Sequence, residues 1–348
     1  MINLFRRRPK SIKVNTGKFI EVTHPHLRPN STIPQQEIYI AYNYAGLGDY
    51  IHWVTAVSWV IEQHTHLTGK ILAPKFFYEL ANHWHQKHKP RFEVVKYDDI
   101  KTDKIFREHK YYIMPDQHQL MNSMGGHLLP VGFHYYGNID TIPPGYEKIP
   151  EIEGDEVDVT KFNLPKKYAV ITTEATSPVR KFKSEAINEL TIYCNQKGIT
   201  PVFLGKHELT ADYRSQSPTN INTEDVIDLR EKTTLLEAAV ILANAQFVLG
   251  VDNGLLHLAS TTRVPVVFGF TTVEPRHRTP PRRPNTKTIS VVPPEKLNCR
   301  FCQSRVRHVL GHDFRNCLYD KTNKNVACLD YMNASAFIKA IEKVYQMD

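Results

Sequence analysis

Two short strings in the 348-residue chain carry residues suited to acid–base and phosphate chemistry, and a third carries four thiols. The first is Gly46-Leu47-Gly48-Asp49. Glycines at a strand-to-helix turn let backbone N–H groups approach a ligand, and the helix N-terminus that follows favours negative charge. Asp49 is there either the helix N-cap or a carboxylate at the mouth of a sheet, able to take a proton from a hydroxyl nucleophile. His52, in the first turn, either points at the same site or is an ordinary helix residue. A third glycine, which a dinucleotide fingerprint needs, is missing. The second string runs from Val248 to Ser260: an apolar strand leads straight into Asp252-Asn253-Gly254, and His257 follows one turn inside a helix. Backbone N–H groups around Asn253, Gly254 and Leu255 would face outward as a phosphate site, with His257 adding a hydrogen bond or charge. The third is Cys299-x2-Cys302-x14-Cys317-x10-Cys328. Four thiolates with no open position suit a structural tetrahedral metal, zinc or iron, and the alternative is four unrelated thiols. Cys194, inside a predicted helix, reads as an ordinary buried residue.

The elements that must position these residues alternate. Residues 37–43 read as a strand, 50–61 as an apolar-faced helix, 70–73 as a strand, 74–87 as a helix and 91–96 as a strand, with 111–114 a further strand candidate. Between 125 and 155 the pattern dissolves into Gly, Pro and aromatics and reads as loop and inter-domain connection. A second series follows: strands at 168–173, 199–205, 226–229, 247–251 and 264–268, with helices at 184–196, 234–244 and 254–261, and a last helix at 334–345. Strands alternating with helices imply parallel sheets covered on both faces. Two such series make two Rossmann-like domains, with ligands expected at the carboxyl ends of the strands, in a cleft across which the sheets face. The expected division is a basic arm at 1–37, one domain at 38–160 and a second at 161–348 that includes the cysteine segment 299–328.

Composition sets the outer limits. A chain of this length suits two domains, and 41% hydrophobic with 23% charged residues excludes collagen-like, low-complexity and disordered classes. The net charge of +8 would suit nucleic acid if it were spread over the surface. It is not: residues 1–30 hold seven Lys/Arg against one acid, residues 263–307 hold ten against two, and the rest is net negative. A nucleic-acid-binding protein, or a transferase that modifies DNA, therefore stays as the alternative class resting on those two patches and the cysteine segment. No apolar stretch reaches transmembrane length, and the N-terminus lacks an apolar signal region, so the expected compartment is the reducing cytoplasm, where clustered thiols point to metal before disulfides.

Taken together the two strings resemble glycosyltransferase family 9, the ADP-heptose:lipopolysaccharide heptosyltransferases and their relatives. That family has a GxGD turn after its first strand and a (D/N)-(S/T/N)-G-x-x-H-x-A motif in its second domain, standing here as Gly46–Asp49 and Asp252–Ala259. Asp228-Leu229 with Thr233–Ala239, and Val264–Gly269, are similar to the segments that flank the second motif. The resemblance implies a GT-B fold, an acceptor-binding first domain, a nucleotide-sugar-binding second domain and inverting transfer without a catalytic metal. It places the general base at Asp49, and donor contacts at Gly48, Asp252, Asn253, Gly254 and His257. It also asks for a cation after the first strand of the second domain, for which Arg180 and Lys181 both stand ready near Thr176, and an acidic nucleoside contact at Glu208. The implied donor is a nucleotide-diphosphate sugar, ADP-heptose first. The acceptor is a lipopolysaccharide, another glycan or a protein, and oligomers are open. A related branch, the autotransporter heptosyltransferases, carries an iron-binding four-cysteine finger late in the chain, which Cys299, Cys302, Cys317 and Cys328 resemble. One departure stands out: where the family continues Gly-Pro-Thr after its last donor-domain strand, this chain has Gly269-Phe270-Thr271-Thr272 and then a run rich in proline and arginine, 274–284, whose cations meet phosphate or form a solvated loop.

Overall fold

The computed structural model describes residues 20–22, 37–41, 46–96, 111–113, 142–173, 175, 177–207, 221–282, 285–305, 317–320 and 322–346. Its backbone contacts divide the chain into two units, and the second comprises Gly46–Ile51 together with the sequence from Lys148 on, apart from His308–His312. The first unit is built on a five-stranded parallel sheet in the order β1-β5-β2-β3-β4, formed by Ile20–Val22 (β1), Glu37–Ala41 (β2), Thr68–Ala73 (β3), Phe92–Lys96 (β4) and Tyr111–Ile113 (β5). The arm read as irregular thus contributes a strand, with Ile20 in register with Tyr111. Helix α1 spans Leu47–Gln63 and is buried on every side from Tyr50 to Ile61, as its unbroken apolar run requires. The end of this helix and the turn after it are gathered by one guanidinium: Arg91 donates to the carbonyls of Ile61, His64, Thr65 and Leu67, each at 3.2 Å. Where the spacing predicts one helix over 74–87, the backbone forms a 3₁₀ turn at Lys75–Phe77, helix α2 at Tyr78–Trp84 and a second 3₁₀ turn at Gln86–His88. Only Leu80, Ala81 and Trp84 of α2 are buried, so a single helical turn's worth of apolar face holds this segment.

The second unit holds a six-stranded parallel sheet in the order β8-β7-β6-β9-β10-β11. The strands are Tyr168–Thr172 (β6), Thr200–Leu204 (β7), Ile227–Asp228 (β8), Val248–Val251 (β9), Val266–Gly269 (β10) and Thr288–Val291 (β11). Starting in the middle, running to one edge and then filling the other is the doubly wound order, and its switch point lies between β6 and β9. The central strands β6, β9 and β10 are buried at every residue, which is why they read as continuous apolar runs. Helices α3 (Ser184–Gln196), α4 (Leu235–Ala243), α5 (Gly254–Ala259), α6 (Pro275–Arg278), α7 (Cys302–Arg305) and α8 (Ala334–Gln346) accompany them. One face of the sheet packs on α3 and α8 through Leu190, Phe203, Phe247, Phe337 and Ile341, with the Phe182 and Phe337 rings 4.7 Å apart. Cys194 lies fully buried in this cluster, where burial pushes its thiol up to about 12. Helix α4 starts on a capping box: the Thr234 hydroxyl accepts from Glu237 N at 3.2 Å, and the Glu237 carboxylate accepts from Thr234 N at 2.8 Å. Among the described residues no helix is long and apolar enough to cross a membrane.

Candidate active site at the switch point

At the switch point, β6 and β9 end side by side and the chain turns from each into a segment carrying predicted site residues. Asn253 is the N-cap of α5: its side-chain oxygen accepts from Leu256 N at 3.0 Å, and its amide nitrogen donates to Thr172 Oγ1 at 2.9 Å. One side chain therefore starts the helix and ties it to the end of β6. The adjacent Thr173 hydroxyl is fully buried and has no partner among the described residues, a polar atom at the strand end that sequence reasoning did not single out. A buried hydroxyl at this position is signalled in sequence only as part of the strand 168–173.

Asp252 is 4% exposed, and both of its carboxylate oxygens are engaged. Arg180 donates to Oδ2 at 2.8 Å, and His257 Nε2 lies 3.1 Å from Oδ1. Burial alone would raise the Asp252 pKa; the Arg180 charge, the His257 hydrogen bond and the Arg278 charge outweigh it and hold the carboxyl far below the usual range. Of the two cations the sequence offered, Arg180 is the one brought to Asp252, and Lys181 is half-buried beside it. Asp252 therefore holds Arg180 and His257 on its two oxygens. The His257 ring also meets Phe268 edge-on, with centroids 5.7 Å apart.

The first turn of α1, which belongs to this unit, packs directly on α5. A Cβ placed on Gly48 would come within 2.7 Å of His257 Cδ2, and one on Gly254 would come within 3.0 Å of Leu47 Cβ. Each glycine is thus the point where the other helix touches, so both motif glycines serve close helix approach. The contact delivers Asp49 to the edge of the site: it is 21% exposed, with Oδ1 3.5 Å from a guanidinium nitrogen of Arg278. His52 is fully buried in the first unit. Thr176 and Glu208 lie outside the described residues. Arg278 is the partner that sequence reasoning missed; its only signal was membership of the cationic run 274–284.

The described cations of 263–307 are mostly engaged within the protein. Arg263 pairs with Glu151 and Glu153, Arg276 with Glu274, and Arg300 with Glu295. Arg282 donates to the carbonyls of Thr262 and Val264 at 2.6 Å and of Lys287 at 3.0 Å, pinning the starts of β10 and β11. Most of the described cations of this segment therefore fasten the protein to itself through ion pairs or backbone carbonyls.

The four late cysteines are free thiols close enough to act on one another. Burial first, and then the neighbouring thiols, push Cys302 up to about 11 and Cys328 up to about 12. Asp320 N donates to Cys317 Sγ at 3.4 Å, and Cys302 N donates to Cys299 O at 3.1 Å in the knuckle turn. Among the described residues, however, no group of three or more His, Cys, Asp or Glu side chains is placed to hold a metal ion.

Comparison with known proteins agrees with this architecture. Several solved heptosyltransferases share the fold. The iron-containing dodecameric glycosyltransferase TibC from enterotoxigenic E. coli H10407 superposes with a TM-score of 0.66 at 16% identity, over 90% of this chain and 77% of TibC. The family 9 glycosyltransferase of Veillonella parvula gives 0.60 at 12% identity over 91% and 99%. E. coli ADP-heptose lipopolysaccharide heptosyltransferase II gives 0.54 at 13% over 88% and 100%. These likenesses establish the GT-B glycosyltransferase fold. Residues 149–310 match the model of glycosyltransferase family 9 (heptosyltransferase), and the protein is a glycosyltransferase. No curated protein matches its sequence significantly.

Proposed function

We propose that the chain transfers a heptose or related sugar, with inversion, from a nucleotide-diphosphate donor to an acceptor hydroxyl, with Asp49 as general base. The observation that carries this reading is the meeting of Asp49, Arg278, Asp252, Arg180 and His257 around the N-termini of α1 and α5. In the reaction, an Asp49 oxygen takes the acceptor's hydroxyl proton as that oxygen bonds to the anomeric carbon. The bond from this carbon to the diphosphate breaks, and the nucleotide diphosphate leaves with the electron pair. Arg180, His257, the Thr173 hydroxyl and the backbone N–H groups of Gly254 and Leu255 are the groups available to bind the diphosphate and the charge that grows on it. Arg180 takes the role of the cation that metal-free transfer needs, held in place by Asp252. Thr176, Lys181 and Glu208 complete the donor contacts that the family motif implies. The donor is ADP-heptose: TibC has been crystallised with ADP-D-β-D-heptose, and 90% of this chain superposes on it with a TM-score of 0.65. The segment 38–160 then serves the acceptor, a glycan, a lipopolysaccharide or a protein, and 161–348 the donor.

The cysteine segment is the place for a structural zinc or iron. The residue types suit such an ion, four thiols, although the described residues do not group them as a metal site. Cys299, Cys302, Cys317 and Cys328 would hold the ion, which would brace the segment and take no part in transfer. TibC is iron-containing and dodecameric; for this chain, metal analysis and a size measurement test both features. The five unpaired cysteines suit a reducing compartment, the cytoplasm.

The test is a panel of ADP-, UDP- and GDP-sugars followed by nucleotide release. ADP-heptose should be consumed, Asp49→Ala should abolish release, and ADP should bind the variant as it binds the wild type. A protein that neither binds nor turns over any member of the panel refutes the assignment.

A further inference from the structure

The run 274–284 breaks the family pattern, and the structure gives its described part, 274–282, a definite shape. Its first part is the helical turn α6, Pro275–Arg278, and that turn is fastened at its entry to the helix of the cysteine knuckle, α7. Gln303 N donates to Thr272 O at 3.0 Å, the Thr272 hydroxyl donates to Gln303 Oε1 at 2.7 Å, and Glu274 N donates to Ser304 Oγ at 2.9 Å. At its exit Thr279 N donates to Pro275 O at 2.8 Å, and His277 is buried within the turn. Arg278 is thereby presented from a braced piece of backbone.

Its guanidinium, 20% exposed, stands 3.5 Å from Asp49 Oδ1, and its charge also acts on Asp252. The neighbouring arginines differ: Arg263 pairs with Glu151 and Glu153, Arg276 pairs with Glu274, and Arg282 holds backbone carbonyls. Arg278 alone among the described cations of the run reaches the carboxylate from the GxGD turn. An aspartate in a helix's first turn, one-fifth exposed, has rotamers open to it, and a base that wanders loses the near-attack geometry on which intramolecular rates depend.

We propose that Arg278 is a positioning residue that holds Oδ1 of Asp49 so that Oδ2 is presented to the acceptor hydroxyl. It rests on the reading of Asp49 as base and extends it. The proton passes from the hydroxyl to Asp49, and Arg278 keeps its own charge and protons throughout.

The test uses the full-length protein with Arg278→Ala and Arg278→Lys, and ADP-heptose as the probe. In Arg278→Ala, ADP release should fall about 10- to 100-fold, the scale of a misplaced catalytic group, while the affinity for ADP stays within about threefold. Arg278→Lys should recover part of the rate, and so should millimolar guanidinium added to Arg278→Ala, which a purely structural defect would not allow. A readout independent of turnover is modification of Asp49 by a water-soluble carbodiimide and an amine, followed by mass spectrometry. Asp49 should be labelled several-fold faster in Arg278→Ala than in the wild type. Equal labelling with an unchanged rate overturns the proposal, as does a loss of ADP affinity that matches the loss of rate, since Arg278 would then be a phosphate ligand. If Asp49→Asn turns over like the wild type, it is the base assignment that fails, and the labelling still reports whether Arg278 holds Asp49.

Discussion

Replacing Gly48 by alanine inserts one methyl group between the first turn of α1 and the His257 ring. The added Cβ would lie 2.7 Å from Cδ2, 3.0 Å from Cγ and 3.1 Å from Nε2 of His257. Ordinary carbon contact is about 3.5 Å or more, so the ring must retreat by roughly 0.5–1 Å. Nε2 starts 3.1 Å from Asp252 Oδ1, near the long end of a hydrogen bond, and a retreat of that size breaks it. Overpacking costs about 1–3 kcal/mol, and a hydrogen bond to a charged group contributes about 1.5–3 kcal/mol. Against this, alanine gains up to about 1 kcal/mol over glycine in a helix. The two losses come from one displacement and are not summed, so the expected net destabilisation is about 1–3 kcal/mol. At about 2–4 °C per kcal/mol this lowers the melting transition of the second unit by roughly 2–12 °C. Differential scanning calorimetry measures the effect, and a double-mutant cycle identifies its cause. In a His257→Ala background the ring is absent, the methyl group fits, and Gly48→Ala should become neutral or stabilising. An equal destabilisation in both backgrounds would refute the steric reasoning; so would a Gly48→Ala protein that melts and turns over like the wild type.

Three further outcomes follow from the same geometry. Asn253→Ala removes the α5 cap and the tie to Thr172 and should cost about 1–2 kcal/mol by chemical denaturation, whereas Asn253→Asp, which can still accept from Leu256 N, should cost less. Arg180→Leu leaves the buried Asp252 charge with only His257 bonded to it and should destabilise the second unit by about 3–5 kcal/mol, with denaturation midpoints as the measure. The Asp252 carboxyl titrates lower in the folded state than in the unfolded, so its contribution is fully present above the ordinary value of 3.8 and is lost as pH falls below it. Asp252→Asn should accordingly flatten the loss of stability below about pH 4, and an unchanged slope in urea titrations there would show that Asp252 is not held by charge.

Much of the fold was legible because parallel strands covered on both faces must be apolar throughout. Tyr168–Thr172, Val248–Val251 and Val266–Gly269 announce themselves in this way. The edge strand Thr288–Val291 does not: only Val291 is buried and its polar residues resemble a loop. The segment 74–87 has helical spacing, but its flanks contribute little burial and close as 3₁₀ turns. In the site, Asp49 and the Asp252–His257 string stood out because a motif is a local pattern. The partnership of Arg278 with Asp49 did not, because it joins residues distant in the chain through a turn whose shape depends on Gln303 and Ser304.

Residue order alone therefore determined that this is a two-series α/β chain with a carboxylate after one strand and an Asp-Asn-Gly helix start after another, since burial period and turn chemistry are written locally. Tertiary structure decided what those residues face. It chose Arg180 over Lys181 for Asp252, showed Gly48 and Gly254 to be contact points between helices, and turned a basic segment into ion pairs and carbonyl anchors. The physical reason is that a charge or a missing methyl group acquires its meaning from whatever lies within a few ångströms of it, and that neighbour comes from elsewhere in the sequence.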